Sequence, residues 1–445
     1  MWLPRSRFAD VAALATATLA LGPDARSFYA LGWAQSSTGQ PRQALANYEQ
    51  ALHRYREAGD RVGEAATLNN IGLVYDGLGD RPRALDYYRQ ALPIRREVGE
   101  RAGEAATLTN IGLVYDGLGD RQQALAYYQH ALPLLREVGA RGGEATTLNN
   151  IGAVYNGLGD RQQALAYYQQ ALPIRQEVGD RAGEANTLNN IGAVYYGLGD
   201  RQQALDYYRQ ALDILREVGD RVGEANTLNN IGTVYYGLGD RQQALDYYRQ
   251  SLDIRREVGD RAGEANTHNN IGAVYYGLGD AQQALDYYRQ ALPIAREVGD
   301  RVGEATTLSS IGVLYDGLGD AQQALDYYRQ ALPIAREVGD RVGEATTLNS
   351  IGAVCYGLGD AQQALDYYQQ TLPILPRQVG DRASEATTRY NLAMIHRAER
   401  NLDEAVGELE IVVDLDRQVG HPDLESDIAT LEQVRQEQAR SRRAT

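Results

Sequence analysis

The stretch from residue 187 to residue 200, TLNNIGAVYYGLGD, returns forty residues later as TLNNIGTVYYGLGD and then as THNNIGAVYYGLGD. The same spelling recurs along most of the chain. In an early copy, Ala65, Leu68, Ile71, Gly72, Tyr75 and Leu78 fall on one face at three- and four-residue spacing, the mark of an amphipathic helix. Gly79 then stops that helix, being free to adopt left-handed dihedrals. Beyond it Ala84, Leu85, Tyr88, Ala91 and Leu92 repeat the spacing, so each copy predicts two helices joined by a tight turn. The opening Asp120-Arg-Gln-Gln123 has the form of a capping box.

The period sets the architecture. Blocks begin at Arg61, Arg101, Arg141, Arg181, Arg221, Arg261, Arg301 and Arg341, and a one-residue insertion at Pro376 moves the next to Arg382. Residues 24–60 are a degenerate copy, which makes ten repeats with a helix expected at each end. Residues 281–308 and 321–348 are identical, the sign of recent duplication. A period of this size means a stacked array rather than a globule. The expected organisation is an N-terminal capping helix over 1–23, the array over 24–421, a C-terminal capping helix over 422–438 and a disordered tail over 439–445. The start, MWLPRSRFADVAALATATLALGPDA, loosely has the form of a signal peptide, but Asp10 interrupts it and Phe8, Val11, Leu14 and Leu19 suit a packed helix.

Leu68, Ile71, Gly72, Tyr75, Ala84, Tyr88 and Ala91 stand at the spacings of the tetratricopeptide repeat signature, with Leu in place of its Trp and Tyr in place of its Phe. The chain resembles that family, and its 40-residue step and TLNN string are similar to the longer repeats of kinesin light chains and spindle-orientation adaptor scaffolds. The resemblance implies an all-α fold, an α-solenoid wound as a right-handed superhelix, with first helices lining a concave groove. One feature departs from the pattern. Pro93, Pro133, Pro173, Pro293, Pro333 and Pro373 sit inside second helices, where a proline loses a hydrogen bond and costs about 3 kcal/mol. A tolerated bend is expected there, since Asp213 and Asp253 hold the same place in two other repeats.

Composition narrows the function. Of 445 residues 43 % are apolar, enough for a core, and 31 Tyr against two Phe and two Trp predict a core of small residues with Tyr at its half-buried rim. The formal net charge is -15 and every basic residue is Arg, so the surface repels nucleic acid and anionic headgroups. No run of eighteen apolar residues is present, so no membrane insertion is expected. One Cys and five His predict neither disulfides nor a zinc site and suit a reducing, cytoplasmic setting. Without Lys there is no P-loop, and GLGD is a helix stop whose Asp repels phosphate. Cys355 has no neighbouring His in sequence, His268 replaces a packed Leu, and the many carboxylates recur at repeat turns as solvated caps. Neither enzyme activity nor a cofactor is expected.

What is left is a surface. Consecutive helix residues point 100° apart, so Asn69 and Asn70 serve different faces. The first row reads Asn69, Thr109, Asn149, Asn189, Asn229, Asn269, Ser309, Asn349, and by the resemblance it lines the groove. An amide ladder there would bind the backbone of an extended peptide. The second row, Asn70 and its equivalents, is read as a register device between adjacent first helices. Asn186, Asn226 and Asn266, with Tyr196, Tyr236 and Tyr276, add amides and aromatics over three central repeats, a composition suited to protein recognition. The flanking Asp76, Asp116, Asn156 and Asp316 make a more acidic lining that favours a basic or amide-rich segment. The leading expectation is a non-catalytic scaffold holding a segment of a partner protein. The alternatives are a sensor acting on a separately encoded signalling ATPase or caspase-like peptidase, and self-association through repeat ends or the acidic convex face.

Overall fold

The structure, a computed structural model, describes residues 5–22, 24–375 and 382–444. Twenty-two helices occur among them, and each repeat supplies two, such as Arg61–Gly77 with Arg81–Glu97 and Arg301–Gly317 with Ala321–Val338. The chain forms two compact units, residues 1–223 and 224–445, with the boundary in the first turn of helix Arg221–Gly237. Within each unit consecutive helices pack in antiparallel pairs, the all-α solenoid architecture that the period predicts.

The turns follow from their residues. Gly79 has φ +78°, its N–H meets the Asp76 carbonyl at 2.8 Å, and Asp80 N–H closes onto Tyr75 O at 2.9 Å. Asp80 then caps the next helix, its Oδ1 accepting from Arg83 N. Only half of the expected capping box forms at Asp120. Its Oδ1 accepts from Gln123 N at 3.1 Å, but its own N–H is already donated to Tyr115 O, which leaves Gln123 nothing to reach back to.

Packing corrects the reading of tyrosine. Tyr75 and Tyr87 do stack at the half-buried rim, 5.5 Å between centroids, as do Tyr155 with Tyr167 and Tyr315 with Tyr327. Tyr88, Tyr128 and Tyr168, however, are fully buried and form the core itself. Gly72 makes the room, because a Cβ built on it would lie 2.6 Å from Tyr88 Cε1. The absent side chain lets the ring lie against the facing helix backbone.

The interior prolines do not stop their helices. Helix Arg81–Glu97 runs through Pro93 and helix Ala321–Val338 through Pro333. Pro373 is different, for its helix is Ala361–Thr371, only 11 residues, and the insertion at Pro376 lies outside the described residues. At the C-terminus, Leu431 and Val434 are buried against Leu402, Ala405 and Leu409. That last helix, Leu424–Ala444, extends well past residue 438. Most of the stretch expected as a disordered tail is therefore helical, held by Arg442 and Gln438, which both donate to Asp403 Oδ1 at 2.6 Å.

Candidate functional site on the first helices

The first asparagine row is turned inward, toward its own neighbours. Asn69 is buried, and its Oδ1 accepts from Thr107 Oγ1 at 3.0 Å and from Asn110 Nδ2 at 3.2 Å, both on the next first helix. Asn149 receives the same two bonds from Thr187 and Asn190. In the second unit Asn229 Oδ1 accepts from Asn270 Nδ2 at 3.0 Å, Asn269 Nδ2 donates to Thr307 Oγ1 at 2.7 Å, and Asn349 exchanges bonds with Thr388. Asn189 is half-buried in the same row. These amides tie one repeat to the next and hold register, and both rows share the task.

The outer residues are the ones that face solvent. Asn186, Asn226 and Asn266 are exposed, as are Tyr236 and Tyr276, while Tyr196 is half-buried. In the second unit Asn226, Asn229 and Asn266 come together with Asn230, Arg255 and Asp300 around a recess of about 470 Å³. Tyr236 and Tyr276 do not line it.

Arg255 is a residue the sequence reading passed over. It is 6 % exposed, and its guanidinium donates to Asp260 Oδ2 at 2.7 Å, Asn226 Oδ1 at 2.9 Å and Ser251 Oγ at 3.1 Å. Burial pulls its pKa below the usual arginine value and Asp260 opposes the shift. Asn266 Oδ1 in turn accepts from Asn270 Nδ2. The carboxamide oxygens of Asn226 and Asn266 are thus occupied, and their Nδ2 groups carry no internal bond among the described residues. The recess therefore offers donors to a ligand's carbonyl or carboxylate oxygens.

The carboxylates are also not all solvated caps. Glu64, Glu104, Glu144, Glu264, Glu304 and Glu344 are buried at 5–6 % exposure. Each is held by two arginines: Arg56 Nε lies 2.8 Å from Glu64 Oε1, and Arg61 Nη1 2.5 Å from Oε2. Arg61 continues to Glu97 at 2.9 Å, so one chain of ions binds three successive helices. A signal was present in the sequence, since this Glu and the Arg three residues before it do not vary among the nine copies that start at Arg61 and after, whereas the asparagine rows do.

The isolated reactive residues are structural. His268 is 1 % exposed, beside Arg256 and Glu264, with burial lowering its pKa. Cys355 is buried, its thiol pushed up by burial and bonded to Gln363 Oε1. No helix among the described residues is long and apolar enough to cross a membrane.

Repeated helix pairs, a glycine receiving a buried tyrosine and inter-repeat polar ladders define an array scaffold. The sequence matches the family model described as tetratricopeptide repeat over residues 43–97, 63–137, 143–217, 207–257, 263–337, 303–377 and 343–418, and a second model of the same description over 25–57. The chain belongs to the tetratricopeptide repeat family. No curated protein matches its sequence. Among solved structures it is similar to the apo quorum sensor NprR from B. thuringiensis, at 18 % identity and TM-score 0.54, covering 72 % of this chain and 99 % of that one. It is similar to a Rap protein complexed with Competence and Sporulation Factor, at 16 % identity and TM-score 0.51, covering 85 % and 99 %. A third likeness is to a signal transduction ATPase with a tetratricopeptide repeat sensor from Pyrococcus horikoshii, at 16 % identity and TM-score 0.52, covering 86 % of this chain and 55 % of that one. At these identities the shared property is the fold.

Proposed function

We propose that the protein is a non-catalytic scaffold that holds a segment of a partner protein on its first helices, with the recess of residues 226–300 as the principal contact. The observation that carries the reading is the pair of outward amides, Asn226 and Asn266, whose oxygens are used internally and whose Nδ2 donors are left for a ligand. Such donors suit main-chain carbonyls of an extended segment, while Tyr236 and Tyr276 nearby give exposed aromatic area. Of the inner row, Asn229 lines the recess, while Asn69 and the other equivalents support the scaffold by fixing register.

The test is crosslinking of the intact protein to its captured partners with mapping by mass spectrometry. Crosslinks are expected around residues 226–276 and should disappear in the double variant Asn226→Ala, Asn266→Ala at unchanged helicity. Crosslinks that persist in that variant would remove the recess from the account.

A second reading, a sensor acting on a signalling ATPase or caspase-like peptidase, rests on the Pyrococcus likeness, where a similar array belongs to an ATPase of about twice the matched length. A captured partner carrying a nucleotide-binding or peptidase domain would favour it.

A further inference from the structure

At the C-terminal end of the second unit, helices Arg382–Ala398, Leu402–Val419 and Leu424–Ala444 enclose a recess of about 350 Å³. It is separate from the groove and has no part in the function proposed above. Its floor is Asp416, 1 % exposed, whose Oδ2 meets no hydrogen-bond donor among the described residues. Beside it stands Asp427, 9 % exposed, and Asp423 sits at the mouth.

The one neighbour of opposite sign does not resolve this. His421 Nδ1 is 4.0 Å from Asp416 Oδ1, beyond hydrogen-bond range, and it already accepts the Asp423 N–H at 3.3 Å. A nitrogen that accepts carries no proton to give to Asp416. Among the described residues no arginine lines the recess, although arginines hold the buried carboxylates of the repeats. A buried carboxylate without a partner is costly, and a second one beside it raises the cost.

We propose that this recess is a binding site for a guanidinium or primary ammonium group, which would lie between Asp416 and Asp427. A metal ion fits less well, because among the described residues no three His, Cys, Asp or Glu side chains are placed to share one. The recess has ample room for a side-chain-sized cation, and the half-buried ring of Tyr390 on the wall can face its charge. Burial, and after it a side-chain hydrogen bond to Asp416 and the Asp416 charge, push the Asp427 carboxyl up to about 6, so that at lower pH a proton joins the two acids and at higher pH the pair lacks a counter-ion. The ionisable groups that face the site are Asp416, His421, Asp423 and Asp427, with Tyr390 from helix Arg382–Ala398.

Isothermal titration calorimetry on the full chain at about pH 7.5 tests this with three probes: agmatine, the blocked peptide acetyl-Gly-Arg-Gly-amide, and calcium chloride. Saturable binding of either guanidinium, weakened about tenfold or more in Asp427→Asn at unchanged circular dichroism, is the expected result. A peptide at least about tenfold tighter than agmatine identifies a polypeptide as the source of the cation, and equal affinities identify a free one. Absence of heat from both guanidiniums up to roughly 10 mM would overturn the proposal. So would saturation by calcium alone, which would make the recess a metal site. A second readout needs no variant: affinity in the wild type should rise between about pH 5 and pH 7 as Asp427 ionises, and a flat profile counts against the site.

Discussion

Arg56 Nε lies 2.8 Å from Oε1 of Glu64, a carboxylate only 6 % exposed, and the pair joins the second helix of one repeat to the first helix of the next. The motif recurs at Arg136 with Glu144, Arg296 with Glu304 and Arg336 with Glu344. In one repeat Gln176 replaces the arginine and donates to Glu184 Oε1 at 2.9 Å, keeping the bond without the charge. The carboxylate is thus the fixed member. Changing Glu304 to Ala strips partners from two half-exposed arginines that can turn to water, so the loss should be about 1.5–3 kcal/mol rather than the larger cost of a stranded buried charge. Chemical denaturation checks this, and Arg296→Gln should cost less, as Gln176 indicates.

Glu264 and Glu344 also set an acid limit for their repeats. Burial would push the Glu264 and Glu344 carboxyls up, but the bonds from Arg256, Arg261, Arg336 and Arg341 outweigh it and hold both below their ordinary value. A depressed pKa contributes stability that is present above the unfolded value of about 4.3 and is lost as pH falls through the folded one. Asp427 has the opposite sign: its raised pKa contributes stability at low pH that is lost as pH rises through about 6. Hydrogen exchange at several pH values should therefore show the repeats loosening below about pH 4 while the last helix pair loosens between about pH 5 and 7. A common pH response along the chain would contradict the assignment.

Glycine positions with different surroundings give a sharper test of packing. Gly272→Ala sets a Cβ 2.6 Å from Tyr288 Cε1 and should destabilise by about 1–3 kcal/mol. Gly357→Ala ends a helix with nothing within 4 Å of the new atom, and should be neutral or stabilising by up to about 1 kcal/mol. Thermal melts of the two single variants decide it. Equal losses would mean that the Tyr288 slot is not tight.

Asn69→Ala separates register from recognition. It leaves Thr107 Oγ1 and Asn110 Nδ2 without their shared acceptor, a loss of about 1–3 kcal/mol, and should leave partner capture at the 226–300 recess unchanged. The double variant Asn226→Ala, Asn266→Ala also takes acceptors from Arg255 and Asn270 and so loses some stability, and what separates the two is crosslinking, kept in Asn69→Ala and lost in the double variant.

The helix pairs, the 40-residue stack, the glycine stops and the Gly72 face were legible because each depends on spacing within one repeat. The inward turn of Asn69, the burial of Glu64 and the choice of Arg255 were not, because each is decided by a side chain on a neighbouring helix, Thr107 for Asn69, Arg56 for Glu64 and Asn226 for Arg255. A single repeat read alone places Glu64 beside a helix start, where an acid is ordinarily a solvated dipole partner. Only stacking puts Arg56 above it and closes water out. Constancy between copies was the available clue, and it favoured the glutamate row over the asparagine rows.

The second helix after Cys355 is where the array should open first. It spans only Ala361–Thr371, against Ala321–Val338 in the preceding repeat, and Pro373 follows its end. The regular helix stops there, and beyond it Ile374 and Leu375 share a buried cluster with Leu392 and Ile395 of the next first helix, Arg382–Ala398, without a continuous helix behind them as far as residue 375. That repeat also has Ala393 where the others have the glycine that admits a tyrosine. Stability in such an array is close to a sum of local terms, so protection should drop locally. Hydrogen exchange should show residues 361–398 opening at lower free energy than residues 241–300 of the same unit. Equal protection in the two stretches would mean that the unit unfolds as one piece and that the shortened helix is no joint.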